Sequence, residues 1–197
     1  MMAWAAVALT IVVAGWMGWR LTRGGGHLPQ PGDHAPDFAL PDQHGATRTL
    51  GDFAGRWLAL YFYPRDDTPG CTRQAVCFRD AAGMLERAEV VVCGISVDDS
   101  ARHAAFAGKL ALPFALLADR NGIVAARYGS LLDLGFFKLA RRNIFLIDPQ
   151  GTIAAVRRGA SPTTSARDVL EDLAAARARG AAHAKSPASS SSGAGGS

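Results

Sequence analysis

A strongly apolar strand that runs directly into a helix constrains the fold of this chain more than any other feature. Residues 57–63 read Trp-Leu-Ala-Leu-Tyr-Phe-Tyr, a run typical of a strand covered on both faces. Pro64 ends this strand, and Thr68 and Pro69 suit the N-cap and first position of a helix predicted over 68–86. Because such a strand needs a packed layer on each side of its sheet, the stretch predicts a layered α/β domain.

The segments that follow continue the alternation of strands and helices. The predicted elements are a strand at 89–97, a helix at 100–110, a strand at 114–117, a helix at 122–128, strands at 143–147 and 152–157, and a helix at 164–179 capped by Gly180. Four turn-forming residues at 148–151 join the last two strands into a hairpin. The order predicts a three-layer α/β/α domain with a central mixed sheet over residues 33–179.

The apolar segment 131–139 has no clear period, and we interpret it as a loop or hairpin that is partly exposed. A hydrophobic wall near the functional site, a contact between copies of the chain and ordinary packing are three roles that its composition allows. We expect the protein to be a monomer or a weak dimer.

The two ends of the chain differ in composition from the domain. Residues Met1 to Trp19 carry no charged side chain, which predicts an uncleaved single-pass transmembrane helix in the lipid bilayer. A cleavable signal peptide is the alternative, but basic residues before the run and a small-x-small site after it are missing. Residues 20–32 are predicted to be a linker and residues 180–197 a disordered Ser/Gly/Ala tail.

The side of the membrane on which the domain lies is predicted from two basic residues. Arg20 and Arg23 follow the apolar run, and only the α-amino group precedes it. The positive-inside tendency therefore favours a cytoplasmic domain, with the periplasmic side as the alternative.

Charge and motif content exclude several classes of function. The net charge is +4, but no run of five or six like charges occurs, so we predict no nucleic-acid binding. The three cysteines form no Cys-x-x-Cys pair, and no Cys/His spacing suits zinc, so we predict no metal. Glycine-rich nucleotide loops are absent, and no cofactor is predicted.

Cys71 lies in the first turn of the helix that follows Pro64, and this position suits a reactive thiol. Free N–H groups of Gly70 and Cys71 and the helix dipole favour negative charge there, and the thiolate is the nucleophilic form of cysteine. Thr68 at the N-cap can turn its hydroxyl toward whatever Cys71 attacks. A simpler alternative is a capped helix that holds a half-buried, unreactive thiol.

The string Tyr61-Phe-Tyr-Pro-x-Asp-Asp-Thr-Pro-Gly-Cys-Thr72, followed by Phe78-Arg-Asp80, resembles the peroxiredoxins of the bacterioferritin comigratory protein (PrxQ) subgroup. Residues 32–42, 94–98 and 142–148 also resemble parts of that family. The resemblance covers about residues 30–179. It implies a thioredoxin-like fold and reduction of hydrogen peroxide or organic hydroperoxides by Cys71, with recycling by thioredoxin or a similar dithiol.

The resemblance also implies roles for individual residues. Cys71 would attack the peroxide and become a sulfenic acid, and Pro64 would shield the site. Arg142 would stabilise the thiolate and bind the peroxide oxygens, with its neighbour Arg141 as the rival if the register shifts by one residue. Gln74 would support the site from the next turn of the helix.

The second cysteine departs from the pattern of the subgroup, whose helical resolving cysteine lies five residues after the peroxidatic one. Here Val76 occupies that position, and Cys77 follows Cys71 by six residues. Two sulfurs six residues apart lie about 9 Å apart along a helix, so a disulfide would require local unwinding. Cys77 is the resolving candidate, and a one-cysteine enzyme recycled by an external thiol is the alternative. Cys93 is predicted to be buried, and His103 to lie on a helix surface.

Two further functions compete with peroxide reduction. A thiol–disulfide oxidoreductase of thioredoxin type is disfavoured by the missing Cys-x-x-Cys. A membrane-tethered redox sensor or scaffold that uses Cys71 oxidation without turnover remains compatible with the same thiol.

Overall fold

The structure is a computed structural model that describes residues 28–185. The strands are β1 (Ala39–Pro41), β2 (Thr47–Thr49), β3 (Trp57–Phe62), β4 (Val90–Ser96), β5 (Ala115–Ala118), β6 (Leu131–Asp133), β7 (Lys138–Ala140), β8 (Ile144–Ile147) and β9 (Ile153–Arg157). The helices are α1 (Pro69–Asp80), α2 (Ala82–Arg87), α3 (Ser100–Leu110), α4 (Ile123–Arg127) and α5 (Ser165–Lys185), and a 3-10 turn covers Leu50–Phe53. The predicted alternation of strands and helices is confirmed.

The central sheet has five strands in the order β5-β4-β3-β8-β9. Strand β3 lies in the middle, parallel to β4 and antiparallel to β8, and β8 pairs with β9 as the predicted hairpin. The sheet is therefore mixed, as the sequence predicts, and the fold is of the thioredoxin-like α/β type.

Strand β3 alternates its side chains between two hydrophobic cores. Ala59 and Tyr61 join the core formed with α1, α2, α3 and α5, together with Tyr63 just after the strand. Leu58, Leu60 and Phe62 join the second core, which includes side chains of α4 and of the 3-10 turn. Each of these β3 side chains is almost completely buried, and burial of one large apolar side chain contributes about 1.5–3 kcal/mol. The apolar run in the sequence thus reflects burial on both faces.

Two predicted helix boundaries were wrong. The helix expected over 68–86 divides at Ala81 into α1 and α2, and the break allows Leu85 to pack in the core beside β4. The last helix continues through Gly180 to Lys185, so Gly180 is not its C-cap and the predicted tail does not begin there. Its neighbours are mostly alanine and arginine, whose helix propensity outweighs the cost of about 1 kcal/mol for one glycine.

The predicted anchor (1–19), the first part of the linker (20–27) and the tail after residue 185 lie outside the described residues. From Leu28 onward the linker is attached to the domain, since Leu28 packs against the second core and the Gly32 N–H bonds the Ile153 carbonyl at 2.8 Å. Between residues 28 and 185, no helix has the length and apolarity that a membrane span requires.

Candidate active site

Cys71 lies where the sharp turn after β3 passes into α1. Asp67, in this turn, adopts a left-handed conformation with φ of 60°, which reverses the chain between the strand and the helix. Thr68 takes the N-cap position with an extended backbone, and Cys71 is only 2% exposed in the first turn of the helix. The thiol therefore lies among the unpaired N–H groups at the N-terminus of α1, as predicted.

Arg142 reaches this thiol from a distant part of the chain. It precedes β8, whose Ile144 pairs with Tyr61 of β3, so continuation of that register places Arg142 just past the end of β3. Its Nη2 donates a hydrogen bond to Cys71 Sγ at 3.4 Å. Arg141 is exposed, and its backbone N–H bonds the Ser130 carbonyl. The structure thus places Arg142, and not its rival, at the sulfur.

A buried chain of hydrogen bonds holds the guanidinium of Arg142. Nη1 donates to Gln74 Oε1, and Gln74 Nε2 donates to Ser165 Oγ at 2.9 Å. Ser165 Oγ in turn donates its one proton to the Ser161 carbonyl at 2.6 Å, so it can only accept from Gln74. This fixes the Gln74 amide with its oxygen toward Arg142. Gln74 was predicted, whereas Ser165, 91 residues away, carried no local signal in the sequence.

The other predicted residues shape the pocket around the sulfur. A Cβ atom at Gly70 would approach Arg142 Nη2 to 3.1 Å, so glycine gives the guanidinium room to approach. The Thr68 hydroxyl caps no helix N–H and donates instead to the Arg65 carbonyl at 3.0 Å. Its lone pairs therefore stay available to accept a hydrogen bond from a ligand. Pro64 is half-buried at the end of β3.

Cys77 lies on a different face of α1 from Cys71. It is half-buried, and its Sγ lies 3.5 Å from the carbonyl of Thr163, two residues before α5, whereas Cys71 faces Arg142. Both thiols are free, and with α1 intact the six-residue spacing separates them by about 9 Å along the axis. The structure does not bring the predicted resolving pair together.

A buried polar cluster beside the site was missed by the sequence interpretation. Asp66 accepts hydrogen bonds from Tyr63 Oη and pairs with His103 Nδ1, both at 2.8 Å, and its N–H bonds Asp98 Oδ2 at 2.8 Å. His103 was predicted on the surface, and that prediction was wrong: the side chain is completely buried. Asp66 compensates the polarity of its Nδ1, whereas its Nε2 has no hydrogen-bond partner among the described residues. The cluster ties the turn before Cys71 to β4 and α3.

Comparison with known proteins decides the family. The AhpC/TSA family model matches residues 31–156. The Coxiella burnetii protein named peroxiredoxin bcp is 46% identical over 129 residues, covering 64% of this chain and 85% of the relative. The chain belongs to the AhpC/TSA family and is a peroxiredoxin. It is accordingly a thiol-dependent peroxidase.

Further relatives of this peroxiredoxin lie in the same subgroup. Peroxiredoxin Q of Triticum aestivum chloroplasts is 45% identical over 62% of this chain, but the match spans only 56% of that relative's length. The crystal structure of peroxidoxin BcpB from Mycobacterium tuberculosis superposes with a TM-score of 0.71 at 34% identity, over 75% of this chain and 97% of that one. The crystal structure of a PrxQ mutant from Xylella fastidiosa gives 0.69 at 27% identity, over 77% and 98%.

Proposed function

We propose that this peroxiredoxin reduces hydrogen peroxide and organic hydroperoxides at Cys71, and that it serves peroxide detoxification and redox homeostasis. The observation that carries the proposal is the 3.4 Å contact between Arg142 Nη2 and Cys71 Sγ at the N-terminus of α1. Arginine keeps its charge in proteins, so the contact favours the thiolate and leaves further N–H donors for peroxide oxygens.

The proposed reaction needs no group beyond the side chains of the site. The Cys71 thiolate attacks the terminal oxygen of ROOH, a new S–O bond forms as the O–O bond breaks, and RO⁻ leaves and takes up a proton to give ROH. Cys71 becomes a sulfenic acid and the peroxide is reduced by two electrons. Charge spreads over S–O–O in the transition state, where Arg142 and the helix N–H groups act as donors. Thr68 Oγ1 accepts a hydrogen bond from the peroxide O–H, and that hydrogen stays on the oxygen that Cys71 attacks.

The proposed recycling step uses Cys77 and a protein dithiol. The Cys77 thiol condenses with the Cys71 sulfenic acid, releasing water and forming a disulfide, which thioredoxin or a similar dithiol then reduces. Because α1 separates the two cysteines, its first turns must unwind before this bond forms. Peptide mapping after one equivalent of peroxide tests the step. A Cys71–Cys77 disulfide supports it, and a sulfenic Cys71 beside a free Cys77 assigns recycling to an external thiol.

Turnover separates the proposed peroxidase from a redox sensor that is oxidised once. We expect continuous peroxide consumption with thioredoxin, thioredoxin reductase and NADPH, and its loss in Cys71→Ser. Cys93→Ser is the matched control, since Cys93 lies in the second core away from Arg142. If Cys71 is oxidised once and does not turn over when each candidate reductant is supplied, the peroxidase proposal is refuted.

We further propose that residues 1–19 anchor the protein in a membrane with the domain on the cytoplasmic side. The uncharged apolar run and the two arginines that follow it at 20 and 23 support this orientation. Reporter fusions after residue 197 test it: alkaline phosphatase active outside the cytoplasm would place the domain on the other side.

A further inference from the structure

The hairpin formed by β6 and β7 ends in an apolar tip that packs against little of the domain. Phe136 is 88% exposed, and Leu134 and Phe137 are 38% and 39% exposed. The rings of Phe136 and Phe137 lie 5.0 Å apart and contact each other. Single exposed apolar residues are ordinary, but three within four positions form a patch of the kind that contacts a partner or a lipid surface.

The base of this hairpin lies beside the point where the linker enters the domain. Leu28, Gly129 and Arg141 line one cavity of about 370 Å³. Gly129 precedes β6 by two residues and Arg141 follows β7 directly, so both flank the hairpin. The linker that follows the apolar N-terminal run therefore enters the domain next to the base of the β6–β7 hairpin.

The linker is short enough to keep this end of the domain near the anchor. Eight residues, 20–27, separate Trp19 from Leu28, and even a fully extended chain of that length spans at most about 29 Å. Strand β6 has three residues and extends about 10 Å from the base of the hairpin toward its tip. The tip thus lies within reach of a bilayer that holds residues 1–19.

The charge around the junction of linker and domain suits a membrane surface. Arg141 and Arg158 both line the same cavity, and both are exposed. Arg20 and Arg23 lie in the linker itself. Basic side chains next to a membrane attract anionic headgroups, while aromatic rings favour the interfacial layer.

We propose that the tip of the β6–β7 hairpin, residues 134–137, inserts into the interfacial layer of the bilayer as a second membrane contact. This inference rests on the anchor proposed above. Insertion buries the exposed rings and orients the domain relative to the membrane. The occupant of the patch is lipid, not a second copy of the chain.

Photocrosslinking of the full chain in nanodiscs of equal parts phosphatidylcholine and phosphatidylglycerol tests the insertion. The photoreactive residue p-benzoylphenylalanine replaces Phe136 in one variant and Met84 in the control. Met84 is also apolar and 51% exposed, but lies on α2. Burial of one phenylalanine favours the lipid-contacting state by at least about tenfold, so we expect about tenfold more lipid adduct at position 136 than at position 84.

The outcomes separate the hairpin from the anchor. Retention of the chain in nanodiscs with equal lipid adducts at both positions, or with none at 136, overturns the hairpin contact and leaves the anchor in place. Adducts from 136 to a second copy of the chain overturn it in favour of self-association. Failure of the chain to remain with the nanodiscs on gel filtration refutes the anchor, and the hairpin contact with it.

Discussion

Arg142 Nη2 lies 3.4 Å from Cys71 Sγ, although 71 positions of sequence separate the two residues. The contact exists because β8 runs antiparallel to β3 and begins where β3 ends, so the residue before β8 meets the first turn of α1. A permanent positive charge beside the sulfur favours the thiolate and stabilises the charge that develops as the O–O bond breaks.

Replacement of this guanidinium is expected to slow peroxide reduction strongly. Arg142→Lys keeps a positive charge but loses the planar fork that contacts both Cys71 and Gln74. We expect kcat/KM for hydrogen peroxide to fall by about 10²-fold, the usual cost of removing one preorganised donor. Stopped-flow oxidation of the reduced enzyme measures it. Arg141→Lys, one residue away and exposed, should keep the wild-type rate, and equal losses in both variants would contradict the assignment.

Ser165 is expected to act on the reaction through Gln74. Ser165→Ala removes the acceptor of the buried Gln74 Nε2, and leaving such a group without a partner costs about 1–3 kcal/mol. The amide of Gln74 then loses its fixed orientation toward Arg142. We expect kcat/KM for peroxide to fall about tenfold, measured by stopped-flow oxidation of the reduced enzyme.

Ser161→Ala is the control for Ser165. The backbone carbonyl of Ser161 accepts the hydrogen bond from Ser165 Oγ. Among the described residues, the Ser161 hydroxyl itself forms a hydrogen bond with the exposed Thr163. This variant should therefore retain the wild-type rate of peroxide reduction. A change in Ser161→Ala as large as that in Ser165→Ala would show that the loop before α5, and not the Gln74 amide, matters.

The sequence predicted well those features that depend on residues close together in the chain. The apolar run of β3, the turn chemistry from Pro64 to Pro69 and the position of Cys71 are all local, and so is the alternation of strands and helices. The order of the strands in the sheet was not predicted. The position of Arg142 was implied by the resemblance of residues 142–148 to the peroxiredoxins, and the register of β8 on β3 in the structure places it at the sulfur. Ser165 and His103 were missed because their partners, Gln74 and Asp66, lie 91 and 37 residues away, and no sequence period reports a buried hydrogen bond.

The buried pair of His103 and Asp66 is expected to contribute strongly to stability. His103→Ala leaves the buried Asp66 without one of its hydrogen-bond partners, and leaving a buried polar group unsatisfied costs about 1–3 kcal/mol. Urea unfolding followed by circular dichroism should show that loss. Lys109→Ala is the matched control, because Lys109 joins α3 to the same turn through an exposed pair with Asp67 at 3.0 Å, worth at most about 1 kcal/mol. Similar losses in the two variants would refute the role of burial.

Cys93 is expected to remain an unreactive thiol in the folded protein. It is completely buried in β4, opposite Leu60 of β3, and burial raises the pKa of its thiol well above the ordinary value. Since alkylation requires the thiolate and access to solvent, iodoacetamide at pH 8 should modify the half-buried Cys77 and leave Cys93 free until urea unfolds the domain. Peptide mass spectrometry before and after unfolding measures this order. Modification of Cys93 at the rate of Cys77 without denaturant would mean that β4 opens locally, because neither the pKa nor the packing of Cys93 permits reaction in the closed sheet.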